Sequence, residues 1–178
     1  MSKKFLALAA AATLASNAFA QEQAADTASA KGICHWSAGL KGGVYFFTTA
    51  GTEAEAVEEA SMTIDLIKKY KISYPVFLDV EDSNGRGDKI DKNTRTQIIN
   101  AYCATIRNGG YSAGVYANKT WLNEKMNVGS LNNCKIWLAQ YNTAPTYTGH
   151  YDIWQYSEKG SVSGIGGRTD MNLSYLGY

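Results

Sequence analysis

Asp79 and Glu81 are the two residues whose type and spacing could do chemistry. They close the run Tyr74-Pro75-Val76-Phe77-Leu78-Asp79-Val80-Glu81-Asp82, in which an apolar stretch turns into alternating carboxylates. Side chains alternate faces along a strand, so the two acids point the same way, about 6 to 7 Å apart. Two carboxylates on one face at the end of a buried strand are costly without a purpose. Cleavage of a glycosidic bond uses such a pair, one group protonated to assist the leaving oxygen and one ionised to stabilise an oxocarbenium-like state. Like charges raise each other's proton affinity, so one of the two is expected to hold a proton while the other is ionised. The plainer alternative is a pair of solvated strand-end residues capping the next turn.

A β-α-β unit must position that pair. Pro75 suits the first residue of a strand, and Val76 to Val80 is too short and β-branched for a helix, so it reads as a buried parallel strand. Gly43 to Phe47 is the strand before it. A helix opening at Thr52 joins them, with Thr52 and Glu55 in the T-x-x-E form of a capping box and Val57, Ala60, Ile64 and Ile67 as its buried stripe. Glu53, Glu55, Glu58 and Glu59 are expected on a solvated face near the positive helix end.

After the acids, Asp82 to Lys92 is a polar loop at the carboxyl end of the strand, where α/β barrels place their chemistry. Its Arg86-Gly87-Asp88 is expected to be a turn. A second helix spans Lys92 to Asn108, with Ile98, Ile99, Tyr102, Cys103 and Ile106 inward, and Gly109-Gly110 ends it. Strands at Ser112–Ala117, Lys135–Tyr141, Tyr151–Tyr156 and Arg168–Asn172 follow, with a short helix at Lys119–Lys125 after the first. The expected architecture is an α/β domain, an irregular (β/α) barrel of TIM-like type whose last strands lack helices.

The 178 residues suit one folded domain. Lys3 and Lys4, the apolar run Phe5 to Ala15 and Ala18-Phe19-Ala20 have the form of a signal peptide over residues 1–20, cleaved before Gln21 and leaving an extracytoplasmic (secreted or periplasmic) mature protein. The run is too short for a stable membrane anchor. Residues 21–32 read as a flexible linker and 33–178 as the domain. A formal net charge of +1 with no basic cluster leaves no footprint for nucleic acid. The two histidines, His35 and His150, lack metal-ligand spacing, and no metal or cofactor is expected. Cys34, Cys103 and Cys134 allow one disulfide among three pairings. Cys103, on the inward face of its helix, is expected to be a buried free thiol.

Five blocks in register carry a resemblance: Ala38 to Phe47 (AGLKGGVYFF), Tyr74 to Ser83 (YPVFLDVEDS), Gly110 to Leu122 (GYSAGVYANKTWL), Ile136 to Asn142 (IWLAQYN) and Tyr151 to Tyr175 (YDIWQYSEKGSVSGIGGRTDMNLSY). From about Ser37 onward the chain resembles the glycoside hydrolase family 25 lysozymes, the Chalaropsis-type muramidases. The resemblance implies hydrolysis of the β-1,4 bond between N-acetylmuramic acid and N-acetylglucosamine in peptidoglycan. It implies Glu81 as general acid/base, Asp79 as the group orienting the substrate's own acetamido nucleophile, and Asp170 as a third cleft carboxylate. Tyr45, Tyr116, Trp137, Gln140 and Tyr141 match positions lining the sugar groove, with Trp154 and Gln155 near it. The family's opening strand, G-x-D-V-S with its aspartate, has no visible counterpart, since the signal-like segment and linker stand in its place and Asp26 is in no recognisable strand. The implied barrel is therefore incomplete at its N-terminal strands, with open edges. The competing readings are a weakly active or inactive cell-wall-binding module derived from this family, and a chitinase-like barrel enzyme.

Overall fold

The computed structural model describes residues 6–11, 18–21, 41–162 and 165–177. Its strands are β1 (Leu6–Ala11), β2 (Ala18–Gln21), β3 (Lys41–Phe47), β4 (Val76–Asp79), β5 (Ala113–Asn118), β6 (Lys135–Ala139), β7 (Ile153–Gly160) and β8 (Thr169–Ser174). They form one sheet in the order β1-β3-β4-β5-β6-β7-β8-β2. β3 to β7 run parallel, and β8 returns antiparallel to β7. Helix α1 (Glu53–Ile67) links β3 to β4, and α2 (Lys92–Asn108) links β4 to β5. Shorter helical turns, Trp121–Lys125 and Val128–Ser130, precede β6, and loops alone follow it. The result is a mixed α/β domain, a curled half-barrel that loses its helices towards the C-terminus.

Strand alternation divides the interior in two. Val44, Phe46, Val76, Leu78, Val115, Ala117, Ile136, Leu138 and Trp154 face the helices and pack with Ile98, Ile99, Tyr102 and Ile106 of α2. Each fully buried large side chain there contributes about 1.5–3 kcal/mol. Intervening residues turn to the other face, where Phe77, Trp137 and Ile153 cluster with Tyr45 and Tyr116. Gly114 permits that second layer, because a Cβ there would lie 2.4 Å from the Phe77 ring.

Helix α2 has the expected bounds and inward face. Helix α1 is turned relative to expectation. Its buried residues are Ala56, Glu59, Ala60, Thr63 and Ile67, while Val57 is exposed. The cause is Glu59, which is buried rather than solvated. Its carboxylate accepts from Thr48 Oγ1 at 2.7 Å and Thr49 N at 3.3 Å, fastening α1 to the end of β3. Thr52 caps the helix by accepting from Glu55 N, and the Glu55 carboxylate in turn accepts from Gly51 N at 2.6 Å and is also favoured in its charged form by the Thr52 N–H. Strand β7 extends to Gly160, beyond the expected Tyr156.

Backbone ladders join β1 to β3 from Leu6↔Phe46 to Ala11↔Lys41, and β2 to β8 from Ala18↔Leu173 to Gln21↔Asp170, both antiparallel. The segments with signal-like sequence thus cover the outer edges of β3 and β8. Among the described residues no helix is long and apolar enough to cross a membrane. Cys103 and Cys134 are free thiols in contact with each other, Cys103 buried and Cys134 partly so. Cys34, His35, Asp26 and residues 22–40 lie outside the described residues.

Candidate active site

β4 delivers both acids to one place. The carbonyl of Asp79 accepts from Thr48 N at 3.1 Å and Val80 N donates to Tyr116 O at 2.9 Å, so the chain stays pinned between β3 and β5 past the strand's end. Glu81 is carried one pleat further, to the rim. The loop beyond it is held by its own side chains. Asp88 accepts from Ser83 N, Ser83 Oγ and Gly85 N, and the buried Arg95 guanidinium donates to the carbonyls of Gly87, Ile90 and Lys125 while lying 4.7 Å over the Trp121 ring. Arg86 pairs with Glu55 at 2.8 Å. The Arg86-Gly87-Asp88 tripeptide is therefore part of this scaffold, in a 3-10 turn.

Asp79 and Glu81 open into a cavity of about 220 Å³ lined also by Tyr45, Tyr116, Trp137, Tyr141, Gln155, Glu158 and Asp170. Trp137 forms its floor, set edge-on to Phe77 and Tyr116 at 5.2 and 5.0 Å and held by Nε1 donating to Asn172 Oδ1 at 2.8 Å. The hydroxyls of Tyr116 and Tyr141 both donate to Gln155 Oε1, at 2.8 and 3.1 Å, which fixes one wall.

Asp79, Glu81 and Asp170 are shifted towards the neutral form. Burial pushes Asp79 well above the usual carboxylate range, and the charges of Glu81 and Asp170 add to it. Glu81 is raised by partial burial, then by Asp170 and Asp82. Asp170 is raised by burial and by Glu158, against a hydrogen bond from Gln155 that favours its charge. Burial is the largest cause for each of the three, ahead of the neighbouring charges, and Asp79 is the most deeply buried, 6 % exposed. Its Oδ1 is buried with no hydrogen-bond partner among the described residues.

Of the residues singled out in the sequence, Tyr45, Asp79, Glu81, Tyr116, Trp137, Tyr141 and Asp170 meet at this cavity. Gln140 and Trp154 do not line it. The Gln140 side chain folds back on Thr146 and Tyr147, and Trp154 sits on the helix-facing side of the sheet with Nε1 donating to Gln140 O at 2.8 Å. Sequence reasoning placed Gln155 only near the groove and missed Glu158. The cause is a break in alternation. Between the pairs Gln155↔Asn172 and Ser157↔Met171, β7 advances two residues while β8 advances one. The extra residue, Tyr156, inverts the pleat and turns Glu158 inward. Among the described residues, no group of three or more His, Cys, Asp or Glu is arranged to hold a metal ion.

Comparison with known proteins places this geometry. The model of "Glycosyl hydrolases family 25" matches residues 15–165. An autolytic lysozyme of Clostridium acetobutylicum is 28 % identical over 138 residues, which is 76 % of this chain and 40 % of that protein. The modular autolysin LytC of Streptococcus pneumoniae, solved with a synthetic peptidoglycan ligand, is 32 % identical with a TM-score of 0.68, over 80 % of this chain and 36 % of that one. The CTP1L endolysin is 27 % identical with a TM-score of 0.66, over 78 % and 48 %. The chain therefore spans less than half the length of each of these relatives.

Proposed function

Because the chain belongs to family 25 of the glycosyl hydrolases, we propose that it is a peptidoglycan muramidase, cutting the β-1,4 bond between N-acetylmuramic acid and N-acetylglucosamine. Glu81 is the general acid/base. The observation that carries this reading is the unpartnered Oδ1 of Asp79, a buried acceptor beside the half-buried Glu81 in one cavity. A buried acceptor left unpaired is costly, and the acetamido N–H of a bound sugar supplies the donor it lacks. That donor favours the ionised carboxylate and so reverses the effect of burial.

The steps follow from these placements. Glu81 gives its proton to the glycosidic oxygen as the C1–O bond breaks, and the acetamido oxygen, aligned by Asp79, bonds to C1 from the opposite face. Water then attacks C1, its proton passes to Glu81, and the acetamido group is released. Asp170 lines the same cavity and contributes negative potential towards the charge developing at C1. Tyr45, Tyr116, Trp137 and Tyr141 offer aromatic surface to sugar faces.

The substrate assignment is supported by the peptidoglycan ligand of LytC and by relatives named as autolysin, lysozyme and endolysin. Cell-wall glycan lies outside the cytoplasm, in keeping with export directed by the signal-like residues 1–20. The test is release of new reducing ends from purified peptidoglycan by the chain and by its Glu81→Gln variant. Release by the chain and none by the variant is expected. Co-sedimentation with peptidoglycan without release would identify a binding module instead.

A further inference from the structure

Helix α2 carries Asn100, Cys103 and Arg107 on one face, at the helical spacing i, i+3 and i+7. All three meet the segment that leads into β6. Asn100 Nδ2 donates to Ser130 O at 2.9 Å, and its Oδ1 accepts from Asn132 N at 2.8 Å. One helical turn beyond Cys103, Arg107 Nη1 donates to Asn133 O at 3.3 Å. Asn133 takes the left-handed conformation, φ 50°, and turns the chain into Cys134. The segment is thus fastened to α2 on both sides of Cys103, and Cys134 is delivered against the thiol between the two ties. Beneath them, Cys103 Sγ lies 3.7 Å from Gly114 O on β5, and Gly114 pairs with Lys135, the residue after Cys134.

The two thiols are not equivalent. Cys103 is fully buried, whereas Cys134 is partly exposed. A hydrogen bond from Cys103 holds the Cys134 thiol below its ordinary pKa, with the Arg107 guanidinium helping and burial opposing. The same bond, with burial, pushes Cys103 well up. A partly exposed thiol beside a cation is the setting of a reactive cysteine, and a second thiol in contact with it can resolve the product.

We propose that Cys103 and Cys134 are a redox site, converted to a disulfide by exchange with a disulfide-bearing oxidant. Cys134, as the thiolate, attacks one sulfur of the oxidant, whose other sulfur leaves as a thiolate. Cys103 then loses its proton and its sulfur attacks Cys134 Sγ, releasing the remaining oxidant sulfur as a second thiolate. Two cysteine thiols are oxidised, one external disulfide is reduced, and the two protons pass to the departing thiolates. The bond ties α2 to the start of β6, at the opposite end of the parallel strands from the acids that follow β4. It is therefore separate from the muramidase reading.

The experiment equilibrates the full chain and its Cys34→Ser and Cys134→Ser variants with glutathione disulfide, alkylates the remaining thiols and maps the peptides by mass. A linked Cys103–Cys134 peptide is expected in the wild type and in Cys34→Ser. Dithiothreitol should then lower the thermal midpoint of both by about 5–15 °C, as loss of a loop-closing bond does, and leave that of Cys134→Ser unchanged. Absence of the linked peptide from both proteins, linkage of Cys103 or Cys134 to Cys34 in its place, or midpoints indifferent to reduction would overturn the inference.

Discussion

Asp79 and Glu81 share one face and one cavity, yet the acid at the end of β4 is buried while the one two residues later is half open to solvent. The difference separates their roles. The deep group can position a substrate N–H but has little access to water, and the rim group can exchange protons with water.

Replacing Glu81 by Gln removes the exchangeable proton and keeps the shape. Turnover on peptidoglycan should fall by at least about 10³-fold, within the range for a general acid/base. The thermal midpoint should not fall, because the carboxyl is held partly against its preference for charge. Retained release of reducing ends would remove Glu81 from the mechanism.

Raised carboxyl pKa values impose a sign on the pH dependence of stability. Asp79, Glu81 and Asp170 bind protons more tightly folded than unfolded, so their contribution is fully present below the unfolded carboxyl pKa and is lost as pH rises through the folded values. Asp79→Asn should therefore stabilise the chain near neutral pH by about 1 kcal/mol, as relief of functional-site strain commonly does. The gain should disappear in acid, where both forms are neutral. Urea midpoints at the two pH values test this, and equal shifts at both would contradict it. The same variant should lose hydrolysis.

Tyr141 is 49 % exposed, and its hydroxyl is held on the cavity wall by Gln155. Truncation to Ala should raise KM for peptidoglycan while changing stability by less than about 1 kcal/mol. Trp137, 3 % exposed in the floor, should behave oppositely, with Trp137→Ala costing about 3–5 kcal/mol of folding free energy. Comparable denaturation midpoints for the two variants would show that floor and wall are not distinguished in this way.

Gly160→Ala forces a Cβ against Met171 and the Thr169 carbonyl. The expected cost is about 1–3 kcal/mol, the usual scale for overpacking, with displacement of β8 and hence of Asp170. An unchanged denaturation midpoint would show that β8 yields without strain.

Cleavage after Ala20 would leave Gln21 as the first residue of an exported chain, detectable by intact mass. It would also remove β1 and all but the last residue of β2, uncovering the edges of β3 and β8. An exported chain that retains Leu6 to Ala20 would show that these residues serve the sheet instead.

Elements with strong periodicity were legible in the chain. Helix α2 lies where its apolar spacing and its terminal glycines put it, and β4 where Pro75 and the β-branched run put it. Helix α1 was legible in extent but not in rotation. A buried glutamate satisfied by Thr48 and Thr49 cannot be inferred from hydrophobic spacing, since its partners are tertiary. Gln140 and Trp154 show the same limit, because a glutamine that serves its own loop has the same sequence signature as one that faces a ligand.

Covalent order alone determined that Asp79 and Glu81 share a face, because the two-residue repeat of a strand is a property of the backbone. Tertiary packing decided the rest. Desolvation, which depends on what surrounds a group, raised the proton affinity of the buried Asp79, and the extra residue in β7, which depends on register with β8, brought Glu158 into the cavity.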